Sequence, residues 1–359
     1  MHIAMPVVRN DTGADVYFER LAAALRLRGH QVDLQFLPRF AEHAPWALRH
    51  LYRPPAGADL IHTKAEFGSG FVGLGLPVVM TLAHSVFDPA MADSKSAATK
   101  SYHRYVKRPR IARSLRGADV VVTVSEHSHR QIRADYGVDT TWIHNGIDET
   151  VFRKIDVGSK RENDGKIRLF HVGNLVRRKG AELLPPLMEE LGDGFELVYT
   201  GGIRRSSKIR PTRNMRSLGF LSLDELVRAY DECDVFVFPS RMEGFGYPVA
   251  EAMACEKPVV CFATSSLPEL VDERGGFAVP SGDLRAFADA IRALAADPER
   301  RRAMGAYNRK KVLERFTLRR SAEQYEALYR SVAREYVGAA AWSSDRNRAP
   351  SSPQPAPAE

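Results

Sequence analysis

The 359-residue sequence predicts an α/β protein of two domains, each built on a parallel β-sheet. Its length exceeds what one hydrophobic core usually fills, so two domains of roughly 150 to 200 residues are expected. Short apolar runs alternate with amphipathic helical patterns along the chain, which is typical of parallel α/β architecture. With 44% hydrophobic residues, the sequence can fill two such cores.

Apolar runs bounded by turn residues predict ten strands. They are residues 2–7, 31–36, 59–62, 78–83, 119–124 and 141–144 in the first half, and residues 167–172, 196–200, 235–239 and 258–262 in the second. Amphipathic spacing predicts helices at residues 15–28, 223–232, 248–254, 284–295 and 298–315.

The two sets of strands predict domains at residues 1–152 and 167–316. The polar segment between them, residues 153–166, is predicted to be an interdomain linker. A further amphipathic helix is predicted at residues 317–336. Residues 337–359 are rich in Ala, Ser and Pro and are predicted to be a disordered tail, because they cannot bury enough apolar surface to fold.

The net charge of +8 is concentrated in two stretches that contain no acidic residue. The first holds Lys95, Lys100, Arg104, Lys107, Arg108, Arg110, Arg113 and Arg116, and the second holds Arg204, Arg205, Lys208, Arg210, Arg213 and Arg216. Such patches suggest anionic partners, such as phosphates, acidic lipid headgroups or nucleic acid. A solvated basic face without a partner is the alternative for each.

The three cysteines, Cys233, Cys255 and Cys261, lack metal-ligand spacing, and two of them lie in apolar stretches where a buried thiol is expected, which favours a reducing compartment. The opening MHIAMPVV reads as a strand rather than a secretory signal, so we expect a cytoplasmic protein. The longest uncharged apolar stretch, residues 71–83, is shorter than the roughly 20 residues of a membrane span. Any membrane contact should therefore be peripheral.

A glycine pattern at residues 68–73, GSGFVG, matches the dinucleotide motif G-x-G-x-x-G. The preceding strand ends too early, however, and another strand begins at Pro77, which leaves no room for the crossover helix of a βαβ unit. We therefore predict a loop there rather than a nicotinamide or flavin site.

The segment from Phe236 to Ala254 is the most informative part of the chain. An apolar strand is followed by a glycine-containing turn and by Pro248, which suits the first turn of a helix. The N–H groups of Gly246 and Tyr247 would then project from the helix N-terminus, where unpaired donors and the helix dipole favour a diphosphate.

Two glutamates flank this turn. Glu251 is expected in the first turn of the helix, where a carboxylate can accept hydrogen bonds from a ribose diol. Glu243, eight residues earlier, could reach the sugar hydroxyls on the other side of the diphosphate. The alternative is that both are ordinary capping or surface carboxylates, but the strand, the glycines and the proline in register favour function.

The segment resembles the E-x7-E signature of retaining glycosyltransferases, in particular family 4 of the GT-B superfamily. Further segments resemble the family in the same order along the chain: residues 28–32, 124–125, 143–148 (IHNGID), 172–180 (VGNLVRRKG), 217–222 and 268–269. The resemblance covers about 330 residues. It implies a GT-B fold, in which two Rossmann-like domains with parallel sheets face a central cleft, and a final helix that returns to the first domain.

The resemblance also implies roles for individual residues. Glu243, His84 and Lys179 would be catalytic, with Lys179 clamping the diphosphate and His84 contacting the transferred sugar. A surface lysine and a structural histidine that caps a strand are the alternatives. The full set expected to bind the donor is Gly13, Arg177, Arg178, Lys179, Gly219, Glu243, Phe245, Gly246, Tyr247 and Glu251.

The chain departs from the family pattern at several positions. Asn174 stands where arginine is usual, so Arg177 or Arg178 would have to supply a second cation. Only Gly13 matches the usual glycine pair after the first strand, and Ser265 and Ser266 replace another. Glu256 replaces a glycine, and a left-handed conformation would cost about 1 kcal/mol there.

The implied reaction is the transfer of a hexose from a UDP- or GDP-sugar to a lipid-linked or saccharide acceptor, in cell-envelope glycan or glycolipid synthesis. No cofactor or metal is expected, because no D-x-D follows a strand and no histidine–carboxylate cluster has ligand spacing. Tyr102, Tyr105 and Ile111 interleave with the basic residues of 95–116, which suits an anionic membrane surface or a lipid diphosphate acceptor.

Two alternatives are retained. One is another GT-B nucleotide-sugar enzyme, such as an epimerase, synthase or phosphorylase. The other is a non-catalytic protein whose basic patches bind nucleic acid. The intact Glu243, Glu251 and Lys179 and the lack of an aromatic-rich RNA-binding motif count against the second, so no nucleic-acid partner is expected.

Overall fold

The computed structural model describes residues 1–9, 13–42, 44–155, 165–201 and 209–346. Two six-stranded parallel sheets lie within these ranges, one on each side of the predicted linker. The predicted architecture of two parallel α/β units is therefore confirmed. Of the linker itself, residues 156–164 lie outside the described residues, as do Arg204, Arg205 and Lys208 of the second basic stretch.

The first sheet has the strand order β2-β1-β3-β4-β5-β6, and every pair of neighbours is parallel. Its strands are β1 His2–Val8, β2 Gln31–Leu37, β3 Leu60–Lys64, β4 Val78–Thr81, β5 Val120–Thr123 and β6 Thr141–Trp142. All six were predicted to within two residues at each end. Their central members are almost fully buried, which explains why each reads as a continuous apolar run.

The helices of the first half cover both faces of this sheet. They are α1 Gly13–Leu27, α2 Pro45–Leu51, α3 Ala97–Tyr102, α4 Arg108–Gly117 and α5 Glu126–Tyr136. A π-helical turn at His103–Lys107 joins α3 to α4, so residues 97–117 form one continuous helical segment. The glycine pattern at 68–73 forms a short 3-10 turn, Gly68–Gly70, as the loop interpretation predicts.

The second sheet has the order β12-β11-β10-β7-β8-β9 and is also fully parallel. Its strands are β7 Ile167–His171, β8 Phe195–Thr200, β9 Met215–Gly219, β10 Val235–Phe238, β11 Val259–Phe262 and β12 Gly276–Val279. The sequence predictions missed the two edge strands, β9 and β12. Edge strands are buried on fewer sides, and both are short and only partly apolar, so they lack the pattern of a central strand.

The helices of the second half are α6 Leu184–Leu191, α7 Leu223–Glu232, α8 Tyr247–Ala254, α9 Leu267–Leu270, α10 Leu284–Ala296, α11 Pro298–Arg315 and α12 Leu318–Arg346. The bounds of α7 and α11 are those predicted. Ser222 begins α7 with a capping box, in which Glu225 bonds back to the Ser222 N–H.

The final helix ends at Arg346, ten residues beyond its predicted end at 336. The predicted tail is therefore wrong for residues 337–346, whose alanines favour helix. Residues 347–359 lie outside the described part of the chain.

Helix α12 packs on the first domain. Tyr325 and Tyr329 are buried in a core cluster with Phe18 and Leu21 of α1. The Tyr17 hydroxyl donates to that of Tyr325 at 2.5 Å, and these buried rings also hydrogen-bond to polar side chains of the first sheet. Helix α12, which follows the second domain in sequence, thus packs on the first domain.

Helix α11 supports α8 through a close backbone approach at Gly305. A Cβ on Gly305 would lie 2.0 Å from the carbonyl oxygen of Glu256, which follows α8. Glu256 itself takes the left-handed conformation, with φ 60°. The expected strain at a non-glycine residue is therefore present.

We predict that Gly305→Ala destabilises the protein by about 2 kcal/mol or more, although alanine normally stabilises a helix interior. The reason is the clash with Glu256, which would push α11 away from α8. Urea unfolding measures the effect. The control is Gly194→Ala, where an added Cβ meets nothing within 4 Å and stability should change by less than about 0.5 kcal/mol. Equal effects of the two substitutions would contradict the packing argument.

Candidate active site

A buried ion pair joins Lys179 and Glu243 at the carboxyl edge of the second sheet. Lys179 ends a 3-10 turn that follows β7, and Glu243 lies in the loop after β10, the strand next to β7. The two side chains are 12% and 8% exposed, and Lys179 Nζ lies 2.5 Å from Glu243 Oε1. The Ser240 hydroxyl donates to the same oxygen at 2.6 Å.

These contacts keep Glu243 charged in spite of its burial. Burial alone raises the pKa of a carboxyl group, but Lys179, Arg178 and the hydrogen bonds from Lys179 and Ser240 outweigh it, so the pKa of Glu243 lies below its ordinary value. Burial lowers the pKa of the Lys179 ammonium, and the Glu243 carboxylate partly offsets that change. The site therefore holds a carboxylate in contact with a cation.

The structure distinguishes between the two arginines that could supply a second cation. Arg178 Nη1 donates to the Met242 carbonyl at 2.7 Å and lies 3.8 Å from Glu243 Oε1. Arg177 is 65% exposed, and its Nε lies 4.0 Å from Glu182 instead. Arg178 thus joins Lys179 at Glu243, whereas the side chain of Arg177 lies on the surface.

The loop that carries Glu243 touches the first domain. A Cβ on Gly244 would lie 2.7 Å from the carbonyl oxygen of Ala83, so only glycine allows this approach. His84 is the next residue of that first-domain segment. Burial, followed by the charge of Arg178, lowers the pKa of His84 to about 4, so its imidazole is neutral at pH 7.

Ser265, which replaces a glycine of the family pattern, supports the Glu243 loop. Its hydroxyl accepts a hydrogen bond from the Glu243 N–H at 2.9 Å. It does so in a left-handed conformation, with φ 47°. Ser265 therefore adopts a left-handed backbone conformation that favours glycine, and its hydroxyl adds a contact that glycine could not make.

Glu251 is the fifth residue of α8, so the prediction that it lies in the first turn is wrong by one residue. The reason is that α8 begins at Tyr247, one residue before Pro248. Both carboxylate oxygens have partners: Arg20 Nη2 donates to Oε1 at 3.0 Å, and the Tyr230 hydroxyl donates to Oε2 at 3.1 Å. The side chain is 7% exposed.

No sequence pattern marks Arg20 or Tyr230 as a site residue. Arg20 is one of several charged residues on α1, and nothing in its spacing marks it as the residue that reaches the second domain. Tyr230 reads as an apolar position of α7. Both contacts depend on how distant elements pack, which a local pattern does not contain.

The other predicted site residues lie in different parts of the fold. Gly246 is the N-cap of α8, with φ +103°, so the first N–H groups of the helix point out of its amino end. Phe245 is buried against the rings of His144 and Phe316, so its side chain belongs to the core. Gly13 begins α1, and Gly219 ends the edge strand β9, separated from β7 by β8.

A second polar contact between the domains involves Glu269 of α9. Its carboxylate accepts hydrogen bonds from the N–H groups of Glu126 and His127 at the start of α5, at 3.0 and 2.8 Å, and from His144 Nε2 at 2.8 Å. The carboxylate thus lies at the positive end of the α5 dipole. This contact holds the loop after β11 against the first domain.

Among the described residues, no three His, Cys, Asp or Glu side chains are grouped so as to hold a metal ion. Nor does any helix within the ranges given above combine the length and the apolar character of a membrane span.

Comparison with known sequences finds two families that match this chain. Residues 33–151 match the family described as Glycosyltransferase Family 4, and residues 152–311 match the family described as Glycosyl transferases group 1. The two matches abut and together extend over most of the chain.

Two relatives illustrate the level of similarity. An uncharacterized glycosyltransferase of Methanocaldococcus jannaschii is 27% identical over 272 residues, which cover 73% of this chain and 72% of the relative. A GDP-mannose-dependent monoacylated alpha-(1-6)-phosphatidylinositol monomannoside mannosyltransferase of Corynebacterium glutamicum is 27% identical over 218 residues, 54% of this chain. That match spans only 57% of the relative's length.

The fold is shared with solved structures. Anabaena HepE in complex with UDP-glucose superposes with a TM-score of 0.74 at 16% identity, over 92% of this chain and all of that one. The predicted fold of two Rossmann-like domains facing a cleft is therefore confirmed. Together with the two abutting family matches, this shows that the chain is a glycosyltransferase and belongs to the group 1, family 4 glycosyltransferases of the GT-B superfamily.

Proposed function

We propose that the protein is a retaining, metal-independent hexosyltransferase that uses a UDP- or GDP-sugar and a lipid-linked or saccharide acceptor, in cell-envelope glycan or glycolipid synthesis. The observation that carries the proposal is the pairing of Glu243 with Lys179 and Arg178, opposite the neutral His84 and beside the amino end of α8. These cations flank the loop that leads into α8, and both the cations and the N–H groups at the start of that helix favour a diphosphate.

The donor is proposed to bind along this edge of the second sheet. Its diphosphate would contact Lys179, Arg178 and the N–H groups of Gly246 and Tyr247. Glu251 would accept hydrogen bonds from the ribose, and Glu243 would accept them from the sugar hydroxyls. The UDP-glucose complex of the structurally similar HepE supports a nucleotide sugar as the donor class.

The chemistry needs positive charge at the leaving group. As the bond between the sugar C1 and the phosphate oxygen breaks, negative charge grows on that oxygen, and positioned cations stabilise it. The acceptor oxygen bonds to C1, and its proton passes to the leaving phosphate. Lys179 and Ser240 hold the Glu243 carboxylate in place. A carboxylate held in this way is better suited to stabilising positive charge on the sugar ring than to nucleophilic attack. We therefore infer front-face displacement.

Access to the site requires the domains to separate. The side chains of both glutamates are more than nine-tenths covered, and the first domain touches the Glu243 loop at Gly244. Opening about the linker would admit the donor. Closing would then bring His84 to the sugar and exclude water that could hydrolyse the donor.

The acceptor and a peripheral contact with an anionic membrane are assigned to the helical segment 97–117. Ile111, Ser114 and Leu115 are buried on one face. On the other, Tyr105 is 71% exposed and lines a groove of about 310 Å³ with Pro109, Arg110 and Arg113. An exposed aromatic ring among arginines suits the headgroup region of the inner face of the cytoplasmic membrane.

The family matches identify a glycosyltransferase, so the epimerase and phosphorylase alternatives are not pursued. Release of nucleoside diphosphate only when a glycosyl acceptor is present would demonstrate transfer directly.

The donor site predicts ligand-dependent stability. We expect one of UDP, GDP or ADP, or their sugars, to raise the melting temperature of the protein, since 100 times Kd of a ligand adds about 2.7 kcal/mol. Glu251→Gln should abolish this rise, because it removes the charged acceptor. Differential scanning fluorimetry measures it. Glu299→Gln, at a residue whose side chain is 89% exposed, is the control and should keep the full rise. Protection that survives Glu251→Gln would argue against the ribose site.

The metal-free mechanism predicts that a chelator leaves transfer unchanged. With the donor identified by fluorimetry, EDTA should alter kcat/KM by less than about twofold, because Lys179 and Arg178 supply the charge. Lys179→Met should lower kcat/KM by about 100-fold, as the loss of a charged contact at the leaving group does. Loss of activity with EDTA and recovery with Mg²⁺ or Mn²⁺ would refute this mechanism.

The membrane assignment predicts binding to anionic vesicles. The full chain should co-float with phosphatidylglycerol-containing vesicles and not with pure phosphatidylcholine. The double substitution Arg110→Gln, Arg113→Gln should weaken binding about 30-fold, at about 1 kcal/mol for each basic residue. The control is Arg302→Gln with Arg319→Gln, two exposed arginines outside the segment. Equal losses in both variants would show only a general effect of charge.

A further inference from the structure

Arg20 reaches from the first domain to the acid proposed to bind the ribose. It lies on α1, and its Nη2 donates to Glu251 Oε1 of α8 at 3.0 Å. Its guanidinium carbon lies 4.8 Å from the ring centre of Tyr247 and 5.6 Å from that of Phe152. Two aromatic rings and one carboxylate therefore fix the guanidinium in place.

One nitrogen of this guanidinium is left over. Nη1 of Arg20 is buried and has no hydrogen-bond partner in the part of the chain that the structure describes. Burying an unpaired donor is costly, and a guanidinium can only donate. Nη1 belongs to the same guanidinium as the Nη2 that binds Glu251, so it calls for a hydrogen-bond acceptor in that neighbourhood.

The Glu251 carboxylate has acceptor positions to spare. Each of its oxygens takes one hydrogen bond, from Arg20 and from Tyr230, while an ionised carboxylate offers about four acceptor positions. Glu251 can therefore accept more hydrogen bonds, and Arg20 can give more. A hydroxyl group, which donates one hydrogen bond and accepts others, satisfies both at once.

We propose that Arg20 and Glu251 together bind one ribose hydroxyl of the donor nucleotide. The hydroxyl donates to Glu251 and accepts from Nη1 of Arg20. This inference rests on the proposed function, because it assumes that the donor ribose lies at Glu251. Arg20 is then a residue of the first domain that selects ribonucleotides over deoxyribonucleotides.

The pair also couples binding to domain closure. Arg20 and Glu251 belong to different domains, so a hydroxyl held by both is held fully only when the cleft is closed. A nucleotide that lacks the hydroxyl leaves Nη1 unpaired. It therefore favours the closed arrangement less than the ribonucleotide does.

The test compares nucleotides that differ by one hydroxyl. Isothermal titration calorimetry gives Kd for UDP, GDP and ADP and for their 2′-deoxy and 3′-deoxy forms, with the wild type, Arg20→Met and Arg28→Met. Methionine keeps an apolar chain against Tyr247 but removes the donors. Arg28 is the matched control, because it lies just after the same helix and pairs with Glu326 of α12 at 2.8 Å, away from the cleft.

We expect the wild type to bind the ribonucleotide about 10- to 100-fold more tightly than one of the two deoxy forms, because a hydrogen bond to a charged group contributes about that much to binding. Arg20→Met should weaken binding of the ribonucleotide about tenfold and change that of the deoxy form by less than threefold. Arg28→Met should leave the preference intact. Arg20→Lys, which retains the charge and part of the reach, should fold as the wild type does and show a reduced preference.

Equal weakening of the ribo and deoxy forms would overturn the inference, since Arg20 would then act only on domain packing. An unchanged preference in both Arg20 variants would overturn it as well. If the wild type binds nucleotide and Glu251→Gln abolishes binding while the Arg20 variants keep the preference, only the role of Arg20 fails. If the wild type binds none of the nucleotides, the proposed function fails too.

Discussion

The cleft depends on keeping a carboxylate charged where water is largely excluded. Removing Glu243 from water costs several kcal/mol unless cations and donors replace the solvent. Lys179, Arg178 and Ser240 do so from two segments, one after β7 and one after β10. The neighbouring positions of β7 and β10 in the sheet bring these segments together, so the strand order of the second domain creates the charge balance of the site.

The central strands could be predicted from sequence because burial on both faces leaves a continuous apolar run. The glutamates could be located because a strand, a glycine turn and a helical proline occur in register around them. The edge strands β9 and β12 were not predictable in this way, because they are short and partly exposed. Nor were Arg20, Tyr230 and the Ser265 contact, which arise only when elements far apart in sequence pack together.

Three of the contacts between the domains lie near the cleft. Gly244 touches Ala83, Glu269 binds the amino end of α5 and His144, and Arg20 binds Glu251. Two of these three are polar, and water can replace polar contacts at modest cost when the surfaces part. An interface of this kind holds the domains in register without locking them, as an enzyme that must admit and release a nucleotide requires.

The return of α12 to the first domain has a consequence for biosynthesis. Tyr325 and Tyr329 complete the core beside α1, yet they follow every element of the second domain in sequence. A nascent chain leaving the ribosome therefore has its amino-terminal half available long before the helix that covers it. Until α12 is made, an apolar face of the first domain stays exposed to water, and exposed apolar surface of this kind favours aggregation during folding.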